Sequence, residues 1–597
     1  MMPVSAFVFP SALAIASAFC LLARPPALLA GMTIGCHPME MQDETPPEQL
    51  PPPQRMTGIG NAQMQITAAP EAQMWFNQGL NLLHDFWDYE SARAFEQSIR
   101  VDPECAMCYW GLYQAESFYH SLAKDYAHEA LEKALRLKAR TSERERLYLE
   151  ATAAAENART NSAPDSDRSK LQDLRRELMQ KYPEDTQARI FYAANADRPE
   201  ELRILESVMR DNPNDSAANH YYIHALEESD HPERALHSAE ILASLAPASG
   251  HMVHMPGHIF FRLGDYARAE RAFAKSTRVD EHYMKEQHVQ PDNDWNYVHN
   301  LMYAVANLME EGKLIQATAL SAKLSGARGE LESTLYIYSA RDSVARLNAR
   351  LPVALRTADW AVILELLGNR APDNKRPHLE FLAQQLVPFA GGMLAVETRD
   401  LVRAQELSDK FDAELWRVSE TKNDSPQPRI KGATRKLQVL PDALLQPELK
   451  YLSVMSLEMR ATLSAAQGKM TEAKSLFSDA AREEKALGYH EPPNYIRPVG
   501  ETEGAAMMMA RDWAQAKDAY ERALLERPKS GFALYGIALC AENSGDGQAA
   551  AKEYKEFLAA WKDADPTLVQ VEHARKFVTE YERRSASSPQ AGSNRGR

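Results

Sequence analysis

The sequence is poor in cysteine, glycine and net positive charge. Five cysteines among 597 residues cannot build a disulfide-rich scaffold. Only 26 glycines, beside many alanine, leucine, glutamate and arginine residues, indicate helices, and no segment alternates strictly as a strand would. The 68 basic residues are outnumbered by 83 acidic ones, for a net charge of −15, which excludes nucleic-acid binding driven by counterion release. We therefore predict an all-α protein without a nucleic-acid partner.

The N-terminal region has the features of an export signal followed by a tether. Residues 4–23 carry no charge, and the first basic residue is Arg24. A small residue precedes Cys36, as in a lipoprotein processing site, so residues 1–36 are interpreted as a signal or lipoprotein-like segment. Residues 37–71 are rich in proline and polar side chains and are predicted to be an extended tether. We expect an exported protein, periplasmic or membrane-tethered, that touches a membrane only through this anchor. The alternative is an uncleaved N-terminal membrane anchor.

A spacing of 34 residues recurs along the rest of the chain. The unit 497–530 has Gly504, Ala516, Tyr520 and Pro528 at repeat positions 8, 20, 24 and 32, and the next unit, from Gly531, repeats the spacing. Small residues at positions 8 and 20 let two helices approach, an aromatic side chain at 24 fills the gap, and proline ends the second helix. These marks are typical of tetratricopeptide repeats (TPRs). We predict a TPR solenoid of antiparallel helical hairpins, in which each hairpin buries its apolar face against its neighbours.

The repeat pattern divides the body into two arrays. Helical pairs are expected to begin near residues 72, 216, 250, 497 and 531, with a further unit from Val298. Residues 72–415 are interpreted as an N-terminal TPR array, 416–446 as a polar joint, 447–583 as a C-terminal array and 584–597 as a disordered tail. The segment 157–170 interrupts the pattern and is interpreted as an insertion.

Several longer segments resemble a bacterial family of exported TPR proteins. They include NHYYIHALEESDHPERAL (219–236), GHMVHMPGHIFFRLGDY (250–266), YVHNLMY (297–303) and YHEPPNYIRPVGETEGAAMM (489–508). The resemblance implies an all-helical TPR fold and export, and it implies no established activity. In TPR proteins, positions 2, 5, 9, 12 and 13 of the first helix line the concave groove.

Histidines are concentrated in the middle of the chain, in register with the repeat. Ten of the 17 lie between His220 and His299. His220 and His224 occupy positions 5 and 9 of one unit, and His254 and His258 occupy the same positions 34 residues later. Spacings of three and four residues place side chains on one helix face, and packed helices lie about 8–10 Å apart. We therefore expect a cluster in the groove of the following residues: His220, His224, Glu227, Glu228, His251, His254, His258 and His299.

Three interpretations of this cluster remain open from the sequence. The imidazoles pack between helices, or they contact a peptide, sugar or small acid, or the six histidines bind one or two transition-metal ions such as Zn, Cu or Fe. Pro256, in the middle of the second motif, predicts a bend or the first turn of a helix, either of which would change the placement of His251 and His254.

Binding is a better expectation than catalysis. The sequence contains no GxSxG, Walker or dinucleotide-binding motif. His220 and His224 lack the adjacent glutamate of zinc proteases, so no catalytic residue is assigned, and Glu227 or Glu228 would be the candidate general base. We favour an exported scaffold that binds a protein, peptide or small ligand in the His-rich groove. The alternative is a metal-dependent enzyme or metal-handling protein built on the same histidines.

Overall fold

The fold is made of α-helices. The computed structural model describes residues 45–117, 126–160, 164–291, 294–327, 340–368, 370–372, 377–423 and 445–587. Within these ranges it contains 26 α-helices, three short 3-10 helices and no strand, so the predicted all-α class is confirmed. The predicted signal segment 1–36 lies outside the described residues, as do residues 588–597 of the predicted tail.

Consecutive helices pair as hairpins along the chain. The first eight are α1 (Pro70–His84), α2 (Asp88–Val101), α3 (Ala106–Glu116), α4 (Tyr126–Arg136), α5 (Glu143–Thr160), α6 (Pro164–Lys181), α7 (Thr186–Ala193) and α8 (Arg198–Asp211). The middle nine are α9 (Ser216–Glu227), α10 (Leu236–Leu245), α11 (Gly250–Arg262), α12 (Tyr266–Gln287), α13 (Trp295–Glu310), α14 (Leu314–Ala327), α15 (Ala340–Leu347), α16 (Leu351–Thr357) and α17 (Trp360–Gly368). The last nine are α18 (Pro377–Glu397), α19 (Leu401–Asn423), α20 (Leu445–Ala466), α21 (Met470–Ala486), α22 (Val499–Met509), α23 (Trp513–Glu526), α24 (Gly531–Asn543), α25 (Gly547–Ala560) and α26 (Val569–Ser587).

The packing between hairpins is that of TPRs. Tyr520 on α23 lies between Gly504 on α22 and Gly536 on α24, where an added Cβ would come within 2.6 Å and 2.5 Å of its ring. The buried Phe95 ring lies in the same way between Gly79 on α1 and a glycine on α3. Each aromatic ring therefore joins its own hairpin to the next one and needs glycine on both sides, since any side chain there would displace the ring. The predicted TPR solenoid is confirmed by this packing.

Two predicted interruptions are largely helical. The segment 157–170, interpreted as an insertion, belongs to α5 and α6 apart from residues 161–163, which are not described. The predicted joint at 416–446 begins inside α19, which continues to Asn423, and residues 424–444 lie outside the described chain. The largest hydrophobic core extends from Val305 to Cys540 and includes residues from both sides of the joint. The two predicted arrays therefore share one core.

The predicted tether at 37–71 is wrong for its described part, residues 45–69. This segment is extended, but Leu50, Met64 and Ile66 are buried in the core of the first repeats. The Arg93 guanidinium on α2 donates hydrogen bonds to the carbonyl oxygens of two tether prolines at 2.9 Å each. The Ala248 amide, between α10 and α11, donates to the Gly58 carbonyl at 2.8 Å. The segment packs onto the first repeats through apolar residues dispersed among the prolines. These residues follow no helical period, so the sequence pattern did not predict their burial.

The C-terminal hairpins fold back onto the middle of the solenoid. The buried Arg356 guanidinium on α16 contacts the carboxylates of Glu310 on α13, at 2.9 Å, and Glu501 on α22, at 2.5 Å. Trp561, after α25, donates its indole N–H to the Glu310 carbonyl at 2.8 Å. In the same part of the fold, Glu491, between α21 and α22, lies against α11 and α13.

One described helix meets the length and composition of a membrane span. It is His378–Glu397, within α18, and 72% of its most apolar window is buried inside the protein. Because the core helix of a soluble protein has the same properties, this helix is weak evidence for a span.

Candidate metal centre

Three neighbouring helices begin with the same capping arrangement. The side chains of Asp215, Ser249 and Asp294 accept hydrogen bonds from the backbone amides three residues later, at the first turns of α9, α11 and α13. These caps set a common register for the three helices. The fifth residue after each cap is a histidine: His220, His254 and His299.

The register continues one turn further along each helix. The ninth residue after the cap is His224 on α9, His258 on α11 and Tyr303 on α13. On α11 the second residue after the cap is also a histidine, His251. The repeat unit predicted from Val298 actually begins at Trp295, which puts His299 at position 5 rather than 2. Pro256 lies inside the continuous helix α11 and does not displace the histidines before it.

The six histidines form two triads that are at most 3% exposed. In each triad, one ring nitrogen from each histidine lies within 4.8 Å of the corresponding nitrogens of the other two. The first triad consists of His220, His224 and His251, and the second consists of His254, His258 and His299. The structure therefore brings together all six predicted histidines, in a buried chamber rather than in an open groove.

Hydrogen bonds orient the first triad. The His220 Nδ1 lies 2.7 Å from the His84 carbonyl oxygen, which can only accept, so Nδ1 carries the proton. The His251 Nδ1 lies 3.2 Å from the Asn296 Oδ1, and the amide of Asn296 donates to Asp280 at 2.8 Å. The His251 Nε2 has no hydrogen-bond partner in the described part of the chain. Both rings therefore direct an Nε2 lone pair into the chamber.

An asparagine fixes the second triad in the same way. The Asn300 amide nitrogen donates to the Phe273 carbonyl at 3.1 Å, which turns its Oδ1 towards the Nδ1 of His254 at 2.8 Å. The His254 Nδ1 is therefore the protonated nitrogen, and its Nε2 faces His258. Metal-binding histidines are commonly held this way, with one nitrogen donating to an oxygen and the other left to the ion.

Glu227, the last residue of α9, connects the two triads. One carboxylate oxygen accepts from the His224 Nδ1 at 2.7 Å, and the other accepts from the His258 Nδ1. Its side chain is fully buried, so it orients both rings instead of facing a substrate as a general base. Glu228 does not share this space. It is the C-cap residue of α9, its side chain is 53% exposed, and it lies 3.8 Å from Arg198 on the outer surface.

Two pairs of Nε2 atoms lie at hydrogen-bond distance. The separation is 3.0 Å between His220 and His224 and 2.6 Å between His254 and His258. Because the Nδ1 atoms already hold the protons, neutral rings would present two lone pairs to each other. Each contact requires either an added proton or a metal ion between the nitrogens. Two imidazoles on one tetrahedral ion, with Zn–N bonds of about 2.0–2.1 Å, have nitrogens about 3.3 Å apart. An ion in the second triad would therefore move the nitrogens of His254 and His258 about 0.7 Å further apart.

Burial favours the neutral form of three of these rings. Desolvation, together with the neighbouring imidazoles, lowers the pKa of His251, His254 and His299 well below the usual value. Burial also acts to lower the pKa of His258, but the carboxylates of Glu227 and Glu491 outweigh it and raise that pKa. Neutral imidazole is the form that binds metal ions.

Residues far away in sequence close the chamber. Phe86, between α1 and α2, adopts φ 57° and places its ring 4.8 Å from that of His220 and 5.3 Å from that of His224. On the other side, the Glu491 carboxylate lies 3.7 Å from the His299 Nε2 and 3.9 Å from the His258 Nδ1. Sequence reasoning missed both residues as parts of the site, because neither belongs to the histidine motifs and Glu491 precedes a proline in an irregular segment.

Comparisons with known proteins add little to this description. No protein-family model and no curated protein matches the chain. Similar solved structures include yeast Tom70, at 12% identity and a TM-score of 0.28, covering 86% of this chain and 96% of that one. Another is the APC/C hetero-tetramer Cut9-Hcn1, at 12% identity and a TM-score of 0.21, covering 74% and 96%. At these values neither likeness bears on function, and the TPR assignment rests on the packing described above.

Proposed function

We propose that this protein is a metalloprotein whose buried histidine chamber binds a transition metal. The observation that carries the proposal is the orientation of the rings. The Nδ1 atoms of five of the six histidines are directed at carbonyl, amide or carboxylate oxygens, which leaves the Nε2 atoms to converge. Simple packing histidines would need no such convergence, and lone pairs facing each other at 2.6 Å and 3.0 Å would repel unless a proton or a metal ion lies between them.

The donor set favours a borderline metal ion. Imidazole suits Zn, Cu, Ni and Fe, whereas Ca and Mg prefer oxygen ligands. The carboxylate of Glu227, bonded to the rings of His224 and His258, supplies the outer support that raises the basicity of metal-bound histidine. We therefore propose Zn, Cu or Fe as the bound metal.

Metal analysis of protein purified without a histidine tag tests the proposal. We expect near-stoichiometric Zn, Cu or Fe after reconstitution and dialysis. The double variant His254→Phe/His258→Phe keeps ring volume in the buried site and should lose most of the metal. The control is His231→Phe, since His231 is 69% exposed and lies outside the chamber.

The control should retain the wild-type metal content, and circular dichroism should show similar helicity in all three proteins. Wild-type protein that retains no transition metal after reconstitution would refute the proposal.

Binding of a peptide by the histidines fits the structure less well. All six rings are at most 3% exposed, and the segments around Phe86 and Glu491 cover them. A peptide would have to displace these segments before it reached an imidazole.

Protein binding at another surface is a second proposal. Repeat solenoids present extended surfaces to their partners, and Trp416 on α19 is 66% exposed. We expect Trp416→Ser to lose proteins that co-purify with the wild-type chain, and identical sets from both chains would argue against this surface.

Export remains a proposal based on the N-terminal sequence. It is supported by the uncharged segment 4–23 and by Cys36. Mass spectrometry of the mature N-terminus in fractionated cells tests it, and an intact N-terminus in the cytoplasmic fraction would refute it.

A further inference from the structure

We propose that the chamber is a two-ion centre, in which each histidine triad holds one ion and a small inorganic anion, such as hydroxide, bridges the two. This inference rests on the proposed metal binding and specifies its stoichiometry and ligand class. The sites are the two triads defined above, and Glu227 is the outer carboxylate shared by both.

Ring spacing separates the six histidines into two sites. Within the first triad the ring centroids lie 4.7–5.7 Å apart, and within the second they lie 4.6–5.6 Å apart. The contacts between triads are longer, at 6.1 Å for His251 and His254 and 6.5 Å for His224 and His258. Six nitrogens on one ion would all lie within about 4.2 Å of one another, given metal–nitrogen bonds of about 2.1 Å, whereas here the nitrogens gather as two groups of three.

The connection through Glu227 also favours two ions. This carboxylate supports His224 in the first triad with one oxygen and His258 in the second with the other. A single ion in one triad would leave the Nε2 contact in the other triad to be resolved by an added proton instead. The same carboxylate orients a ring in each triad, which favours the same occupant, a metal ion, in both.

Charge balance calls for an anion when the ions are divalent. The carboxylates that contact the imidazoles are those of Glu227 and Glu491. Two divalent ions bring four positive charges, and these two carboxylates offset two of them. A bridging monovalent anion reduces the remaining charge from two to one, which is favourable because uncompensated charge in a buried site is costly. Two monovalent ions would be balanced without one.

The walls of the chamber restrict the anion to a small one. Aromatic rings lie directly against the histidines: Phe86 is 4.8 Å from His220, Trp295 is 4.9 Å from His251, and Tyr303 is 4.5 Å from His258. Rings packed this closely leave no room for a peptide or sugar, so the proposed bridge is confined to a small anion such as hydroxide or azide. Paired metal ions that share a bridging oxygen are a common arrangement in enzymes.

Copper loading of the full chain tests the stoichiometry. The wild-type chain should retain two Cu(II) ions after gel filtration, with an electron paramagnetic resonance signal weaker than that of two isolated ions because the ions couple. His251→Phe in the first triad and His299→Phe in the second should each retain one ion with a full, uncoupled signal. The exposed control, His231→Phe, should behave as the wild type.

Azide titration tests the bridging anion. We expect a charge-transfer band that saturates at one azide for each pair of copper ions in the wild type. This band should be absent or shifted in either single-triad variant.

The outcomes separate this inference from the proposed function. One tightly held ion per wild-type chain, or two ions with signals of isolated copper and no azide band, would overturn the two-ion centre while metal binding stands. Retention of no ion would overturn both.

Discussion

Replacing Glu227 by glutamine exchanges a single carboxylate oxygen for an NH₂ group and tests the orientation of both triads. The carboxylate accepts from the Nδ1 atoms of His224 and His258 and is fully buried. Glutamine offers one acceptor oxygen and one donating NH₂ group, so it can serve only one of the two rings. The other ring meets a donor and must move its proton to Nε2, which removes that nitrogen from the metal.

The expected magnitude follows from these contacts. Loss of an outer carboxylate typically weakens metal binding by roughly 10–100-fold, which corresponds to about 1.4–2.7 kcal/mol. The mismatched buried hydrogen bond should also destabilise the metal-free fold by about 1–3 kcal/mol. Glu227→Ala removes both acceptors and should cost more in both respects.

Isothermal titration with Zn²⁺ and urea unfolding followed by circular dichroism provide the two measurements. Glu228→Gln is a matched control, because this neighbour has the same chemistry and an exposed side chain that faces Arg198. We expect it to titrate and unfold as the wild type does. Equal zinc affinity in Glu227→Gln and the wild type would refute the assignment of Glu227 as the shared orienting group.

Two further predictions concern regions outside the chamber. Arg356→Met removes the guanidinium between the buried carboxylates of Glu310 and Glu501 and leaves Glu310 with the more distant Arg527, at 3.9 Å. Urea unfolding should show a loss of about 3–5 kcal/mol. Arg350→Met, at a 51% exposed site, should have almost no effect, and a similar loss in both would contradict the prediction. Burial raises the pKa of Glu484 from 4.5 to about 8. Between these pH values the folded protein keeps a proton on Glu484 that the unfolded chain has released, so the free energy of unfolding decreases as the pH rises. Glu484→Gln should therefore become more stable than the wild type towards pH 8, and parallel stability–pH curves would contradict this.

The pH dependence of the Arg356 cluster has the opposite sign. Burial raises the pKa of Glu310, but the Arg356 charge outweighs it, and the net effect lowers that pKa. The stabilisation is therefore present above the unfolded pKa of 4.5 and is lost as pH falls through the lower folded value. Arg356→Met should reduce this acid sensitivity.

Local sequence patterns predicted the helices and the main histidine stripes. The 34-residue spacing placed His220, His224, His254 and His258 at matching positions, and helical geometry then put each pair on one face. The glycine and aromatic positions predicted how hairpins pack, because these contacts lie within one repeat or between neighbours. Such features depend on residues close in sequence, so periodicity was sufficient to predict them.

The tertiary structure decided that the stripes form a closed chamber. Phe86 and Glu491 reach the histidines from opposite sides, and they lie more than a hundred residues from the motifs they cover. Their positions depend on how many successive hairpins pack together, and both residues lie in connections between helices, where the sequence has no periodic pattern. The choice of Glu227 over its neighbour was also structural: both residues lie at the end of α9, where one turns inward and the other faces the solvent. Sequence alone therefore determined the solenoid and the two histidine pairs, whereas burial, closure and the connection between the triads arose from contacts between distant parts of the chain.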